Sequence, residues 1–286
     1  FTVSRVTPEI NVTIDDVTYP EDAYVTVSTD LTGVYTLEIT GIFIENVTLN
    51  AGTPVKFIVP YYNAGIYEAI VTYAGSENYY PALEYDYVIV DKADVNMSIT
   101  SSDVTYPDDV VVTVVSDVAG TYYVYLDITS PKVVALEPGV PRDVIFSGLD
   151  AGTYEFTLAY LETENFNAAV ESINVTVDRV ENTNMTVEAT SPSLGENATI
   201  TVTLPADATG TVDVKYGNGV YSAPVVDGVA VVSVPTTVVG TDTATVQYSG
   251  DTNYAPASGS VDITVAPNGI IIAENIRRGV NSPYDY

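Results

Sequence analysis

An all-β chain of three tandem β-sandwiches is predicted by three observations. The sequence repeats itself about every 87 residues, its apolar residues alternate with a period of two, and Gly, Pro, Asn and Asp punctuate the runs between. Val17-Thr18-Tyr19-Pro20 returns as Val104-Thr105-Tyr106-Pro107. At the same offset Gly33 maps to Gly120, Tyr35 to Tyr122, Tyr67 to Tyr154, Tyr73 to Tyr160, Asn78 to Asn165 and Lys92 to Arg179. A more divergent third copy follows at an offset of 88, taking Gly152 to Gly240, Tyr160 to Tyr248, Asn165 to Asn253 and Ala169 to Ala257. A period of this size marks a repeated folding module.

Each module reads as strands. In the first, runs rich in Val, Ile, Thr and Tyr fall near 10–14, 23–28, 34–40, 42–49, 54–59, 67–73 and 83–90. Alternation of period two is the mark of half-buried strands, and no stretch holds the 3.6-residue period of a helix. Seven strands in such a module match an immunoglobulin-like (Ig-like) sandwich. Asn63-Ala64-Gly65-Ile66-Tyr67 and Asp150-Ala151-Gly152-Thr153-Tyr154 resemble the tyrosine corner, in which a Tyr hydroxyl bonds back to the preceding loop. Ala69 and Phe156 stand where a disulfide Cys would follow, so apolar packing has to replace it. The third module has Asp242 at the Tyr position. There Tyr216-Gly217-Asn218-Gly219 predicts a tight hairpin, because Asn and Gly tolerate positive φ.

The 286 residues include 38 Asp+Glu against 9 Lys+Arg, a net charge of −29, which excludes nucleic acid and anionic membrane as natural partners. Absence of Cys and His removes thiolate nucleophiles, Ser-His-Asp triads, structural zinc and haem ligation. Carboxylate, Tyr or Lys chemistry is all that remains, and a tandem sandwich array argues against an enzyme. A mean hydropathy of +0.18 is too apolar for a disordered acidic chain. No apolar run approaches the ~20 residues of a membrane span, and the chain does not open with a signal-peptide pattern.

The domains expected are 6–92, 93–180 and 181–268, arranged end to end with short linkers. Residues 1–5 align with Val88 to Lys92 and read as the last strand of a preceding repeat. Residues 269–286, with Gly269 to Ala273 as a first strand, read as the start of a further repeat or as a terminal exchange strand.

Gly195 to Val202, Leu204 to Val212, Ala223 to Ala230 and Tyr248 to Ala257 carry a resemblance, strong in the third module and loose in the first two, to the tandem bacterial-type Ig-like repeats of archaeal, methanogen-type adhesin-like surface proteins. Arg277 to Tyr286 is similar to the opening of another repeat type in such proteins. The resemblance implies a non-enzymatic, extracellular, cell-surface array that mediates or presents attachment. Its partners would be other cells, surface glycans or surface proteins, and the family offers no catalytic motif. One alternative is a filament or surface-layer subunit pairing with itself through terminal strands. Another is an accessory region of an exported carbohydrate-active enzyme.

Three sets of candidate site residues emerge. Sequons at Asn11, Asn46, Asn96, Asn174, Asn184 and Asn197 are either N-glycosylation acceptors or products of Thr-rich strands. At the pole expected to face the second module, the first carries Asp15, Asp16, Glu21, Asp22, Asp91 and Asp94, with Asp117, Glu162 and Glu164 expected opposite. Hard oxygen ligands from two modules would suit calcium as the one cofactor; the plainer reading is an acidic solubilising surface. Lys56, Lys132 and Lys215 are candidates for an isopeptide bond, although they do not occupy equivalent positions. Tyr73, Tyr160 and Tyr248 are expected in the core, and Tyr61, Tyr62, Tyr79 and Tyr80 in loops. The recurring Asn78, Asn165 and Asn253 are expected to shape a turn.

Overall fold

A computed structural model of the chain describes residues 2–59, 62–127, 129–181 and 183–269. Among the described residues there are strands, turns and bends but no helix. The first module holds β1 (Ile10–Ile14), β2 (Val17–Thr18), β3 (Ala23–Thr29), β4 (Gly33–Ile39), β5 (Phe43–Leu49), β6 (Val55–Val59), β7 (Gly65–Tyr73) and β8 (Ala82–Asp91). One sheet runs β1-β3-β6 and the other β2-β8-β7-β4-β5. Strand alternation puts Ala23, Val25 and Val27 of β3 inward, against Tyr35, Leu37 and Ile39 of β4 and Ala69 and Val71 of β7. The strand β2 lies parallel to the end of β8, Val17 opposite Val90 and Thr18 opposite Asp91. Two residues are too few to display a period, so alternation does not reveal β2.

The second module repeats this order with β9 (Met97–Thr100), β10 (Val104–Thr105), β11 (Val110–Ser116), β12 (Gly120–Leu126), β13 (Lys132–Leu136), β14 (Arg142–Phe146), β15 (Gly152–Tyr160) and β16 (Ala169–Asp178). Here β9 pairs with β11, β12 lies between β13 and β15, and β10 runs parallel to the end of β16. The third holds β17 (Thr186–Ala189), β18 (Asn197–Thr203), β19 (Thr211–Tyr216), β20 (Gly219–Pro224), β21 (Val229–Pro235), β22 (Gly240–Tyr248) and β23 (Ala257–Val265). Its sheets are β17-β18-β21 and β20-β19-β22-β23, and an isolated parallel bridge between Ser193 and Ala266 stands where β2 and β10 stand in the others. The β19–β20 hairpin turns on Gly217 at φ +55°, so the glycine rather than Asn218 takes the left-handed conformation.

Buried tyrosines anchor the cores. Tyr35 and Tyr122 are fully enclosed, and a buried hydroxyl needs a partner. Tyr35 donates to the Leu31 carbonyl at 2.8 Å and lies 2.8 Å from the Thr29 hydroxyl. Tyr122 lies 2.8 Å from the Val118 carbonyl and 2.6 Å from the Ser116 hydroxyl. Neither role was apparent from alternation alone. Tyr73, Tyr160 and Tyr248 are buried as expected. A Cβ on Gly120 would lie 2.9 Å from the Tyr160 ring, which explains why Gly and Tyr recur together at 33 and 73, 120 and 160. The Tyr248 hydroxyl is the one buried side-chain oxygen among the described residues without a hydrogen bond of good geometry.

The chain divides into two compact units. One comprises Phe1–Ser102, Val111–Phe146 and Tyr154–Val175; the other comprises Asp103–Val110, Ser147–Thr153 and Thr176–Tyr286. The border passes through the second module rather than between modules. Each unit therefore contains one complete junction between consecutive modules.

Candidate functional site

The feature that the chain builds twice is a joint, and it starts from the linker. In the first unit Ala93 bridges the loop between β15 and β16: its N–H donates to the Asn165 carbonyl at 2.9 Å, and its carbonyl accepts from the Asn167 N–H at 2.9 Å. In the second unit Val180 does the same with Asn253 at 2.9 Å and Ala255 at 3.1 Å. This bridge ties each linker to the module that follows it.

The loop so held presents an Asn to the corner of the preceding module. The Ala64 N–H donates to Asn165 Oδ1 at 2.9 Å, while Asn165 Nδ2 donates to Asn63 Oδ1 at 3.1 Å. The second joint repeats the clasp: the Ala151 N–H reaches Asn253 Oδ1 at 2.7 Å, and Asn253 Nδ2 reaches Asp150 Oδ1 at 2.9 Å. An amide side chain carries a donor and an acceptor at fixed spacing, which is what this two-way contact needs. None of Asn78, Asn165 and Asn253 has positive φ, so left-handed turn geometry does not account for them. The pairing corner is itself rigid in the first module, where the Tyr67 hydroxyl donates to the Asn63 carbonyl at 2.9 Å and accepts from the Asn63 N–H at 3.2 Å.

Beside each clasp an aromatic pair closes edge to face. Tyr19 meets Phe166 with ring centroids 5.5 Å apart, and Tyr106 meets Tyr254 at 5.7 Å. The Tyr of each repeated Val-Thr-Tyr-Pro thus belongs to the joint. The two joints differ in charge. In the first, the Lys92 ammonium pairs with the Glu162 carboxylate and donates to the Thr163 carbonyl at 2.8 Å. In the second, Asp207 accepts from the Tyr106 hydroxyl through Oδ2 and from the Tyr254 hydroxyl through Oδ1, the latter at 2.8 Å. The Tyr106 hydroxyl, followed by that of Tyr254, holds the Asp207 carboxyl below the usual range. Burial, followed by the hydrogen bond to Asp207, pushes the Tyr254 hydroxyl up.

The acidic candidates scatter across these roles. Glu162 is engaged by Lys92, Asp94 accepts from Asn167 Nδ2 at 2.8 Å, and Asp117 accepts from Asn96 Nδ2 at 2.9 Å and its N–H at 3.0 Å. Asp15, Asp16, Glu21, Asp22, Asp91 and Glu164 are exposed. Among the described residues no group of three or more acidic side chains is arranged to hold a metal. All six sequon asparagines are exposed, with Asn46 accepting from Thr36 and Asn197 donating to Ser233. Lys56 sits over the Tyr24 ring and Lys132 over the Phe146 ring. Tyr62 binds the Glu21 carbonyl and the Ala23 N–H. Tyr61, the segment 270–286 and Phe1 lie outside the described residues; residues 2–5 form no strand.

Residues 185–266, the span of the third sandwich, match the family model described as bacterial Ig-like domain (group 3). No curated protein matches the chain. Among solved structures it is similar to elastase-activated alpha-2-macroglobulin of Escherichia coli, at 11% identity and TM-score 0.28, covering 91% of this chain and 33% of that one. It is also similar to Sidekick-1 immunoglobulin domains, at 14% and 0.35, covering 92% and 60%. A titin fragment of three Ig domains aligns at 10% and 0.37, covering 93% and 100%. The chain thus spans a third of the macroglobulin and three fifths of the Sidekick-1 fragment. Sheet order and register, with the matched third sandwich, define an Ig-like repeat region.

Proposed function

We propose that this chain is a spacer segment of an extracellular, adhesin-like surface protein of archaeal type, whose work is to hold and present a binding region rather than to catalyse. The observation that carries the reading is the joint. Two consecutive junctions use the same Asn clasp, the same linker bridge and the same aromatic pair. Bidentate contact and an aromatic lock restrict rotation at a junction, which a presenting stalk requires and a loose linker does not supply. Six exposed sequons and a net charge of −29 suit a glycosylated, strongly hydrated surface.

Pairs of spin labels on the two sandwiches flanking each joint test the reading. One narrow distance distribution per joint is expected. Broad distributions at both would remove the presenting role. Glycosylation is tested separately by the intact mass of the chain isolated from an archaeal host, where added hexose mass at these asparagines is expected.

A further inference from the structure

The first sandwich carries the receiving half of the same joint, and among the described residues no corner is clasped to it. Val6 bridges the loop between β7 and β8 as Ala93 and Val180 bridge theirs: its N–H donates to the Asn78 carbonyl at 3.4 Å, and its carbonyl accepts from the Tyr80 N–H at 3.0 Å. Arg5, at the position of Lys92 and Arg179, donates from Nε to the Glu77 carbonyl at 3.0 Å and lies over the Tyr80 ring. Tyr79, the equivalent of Phe166 and Tyr254, packs against the first core. The contrast is at the Asn. Asn165 and Asn253 are half-buried in their clasps, whereas Asn78 is exposed and its amide makes no side-chain hydrogen bond among the described residues.

We propose that Asn78, Tyr79 and Val6 form a docking surface for one kind of partner: a preceding Ig-like repeat that presents an Asn/Asp-Ala-Gly corner and a Tyr-Pro aromatic. This rests on the reading of the joint as a built device, and it names the chemistry of the neighbour. Both occupied examples supply that chemistry, Asn63-Ala64-Gly65 with Tyr19 and Asp150-Ala151-Gly152 with Tyr106. A second copy of this chain cannot. Its two such corners are filled by its own Asn165 and Asn253, and its third corner reads Val238-Val239-Gly240. The Val238 side chain, 74% exposed, offers no acceptor in place of the Asn63 and Asp150 side-chain oxygens, while Leu194 stands where the Tyr should be.

The surface is tested by extending the chain with one more copy of residues 6–87 joined directly to Phe1, so that residues 1–5 complete the added module in register. Hydrogen exchange is followed at the Ala64 amide of the added copy and at the original Ala64. Slow exchange at the added amide is expected, with Asn78→Ala accelerating it tenfold or more. Equal exchange with and without Asn78→Ala would overturn the proposal. Asn165→Ala, read at the original Ala64, separates the two levels. Acceleration there without any effect of Asn78→Ala sinks the third joint alone, and no effect of either sinks the joint reading itself. If the added copy does not fold, an extension by residues 93–174 offers the Asp150-type corner to the same measurement. Sedimentation of the parent chain should show a monomer; a dimer abolished by Asn78→Ala would overturn the choice of partner.

Discussion

The two joints share a frame and differ in what they add to it. Both set an Asn amide against a corner N–H and place two aromatic rings edge to face. The first adds an exposed ammonium–carboxylate pair from Lys92 and Glu162, while the second adds an exposed carboxylate that accepts from two phenols, one from each side. The clasp acceptor also changes, from the neutral Asn63 amide to the Asp150 carboxylate. Hydrogen bonds to a charged acceptor are shorter and stronger than neutral ones, and an exposed ion pair contributes little. The same repeat therefore produces two junctions of different charge through a few substitutions.

Removing the clasp is the most direct way to break this comparison. Asn253→Ala should cost about 1–3 kcal/mol of coupling, since it strips a charged acceptor and a backbone N–H at once. Asn165→Ala should cost less, and amide exchange at Ala151 and Ala64 reports each. Asn253→Asp sharpens the difference, because it sets a second carboxylate against Asp150. It should loosen the second joint at neutral pH more than Asn165→Asp loosens the first.

Tyr254→Phe comes next. It leaves the ring in place and deprives the Asp207 carboxylate of one of its two hydroxyl donors, at about 1–2 kcal/mol. Thermal unfolding of the third sandwich, whose core includes Tyr254, is the measurement. Acid should follow the same carboxylate. Asp207 has a folded-state pKa below its unfolded value of about 3.9. Its contribution is therefore complete above about pH 4 and is lost as pH falls through the folded value. Spin-label distances across the second joint should broaden in that window, and Asp207→Asn should remove the dependence. Smallest of all is Lys92→Met. Glu162 is drawn down by the Lys92 ammonium, but both groups face solvent. The loss should be near the resolution of a melting curve and should vanish in high salt.

Much of the frame was legible because it repeats within a module. The run near 10–14 is β1 at Ile10–Ile14, and that near 34–40 is β4 at Gly33–Ile39. The corner at Tyr67 was likewise legible, since Asn63 and Tyr67 are four residues apart. The clasp was not. Asn165 was visible as a recurring residue, yet its partner Asn63 lies 102 positions away in a different copy. Comparing one module with the next reveals which residues recur, and not which recurring residues meet. Asp207 was hidden for a related reason: the 88-residue offset pairs it with Ala119, so it belongs to no repeated pattern. Charge spacing groups Glu162 with cation ligands, whereas the linker Lys92 lies beside it. Charge pattern alone does not tell a ligand from a counter-ion.

The strand β2 enters the first sandwich parallel to the end of β8, through which the chain leaves it, and β10 and β16 repeat the arrangement. Tension on the chain would draw those two parallel segments in opposite directions along their length. Their hydrogen bonds, Val17 against Val90 and Tyr19 N–H to the Asp91 carbonyl at 2.9 Å, would then be loaded together as a sheared patch instead of opening one after another like a zip. The third sandwich offers the Ser193–Ala266 bridge in that place, where Leu194 N–H meets the Ala266 carbonyl at 2.8 Å. Its clamp is the shortest of the three among the described residues, so it is the module expected to yield first when the chain is stretched.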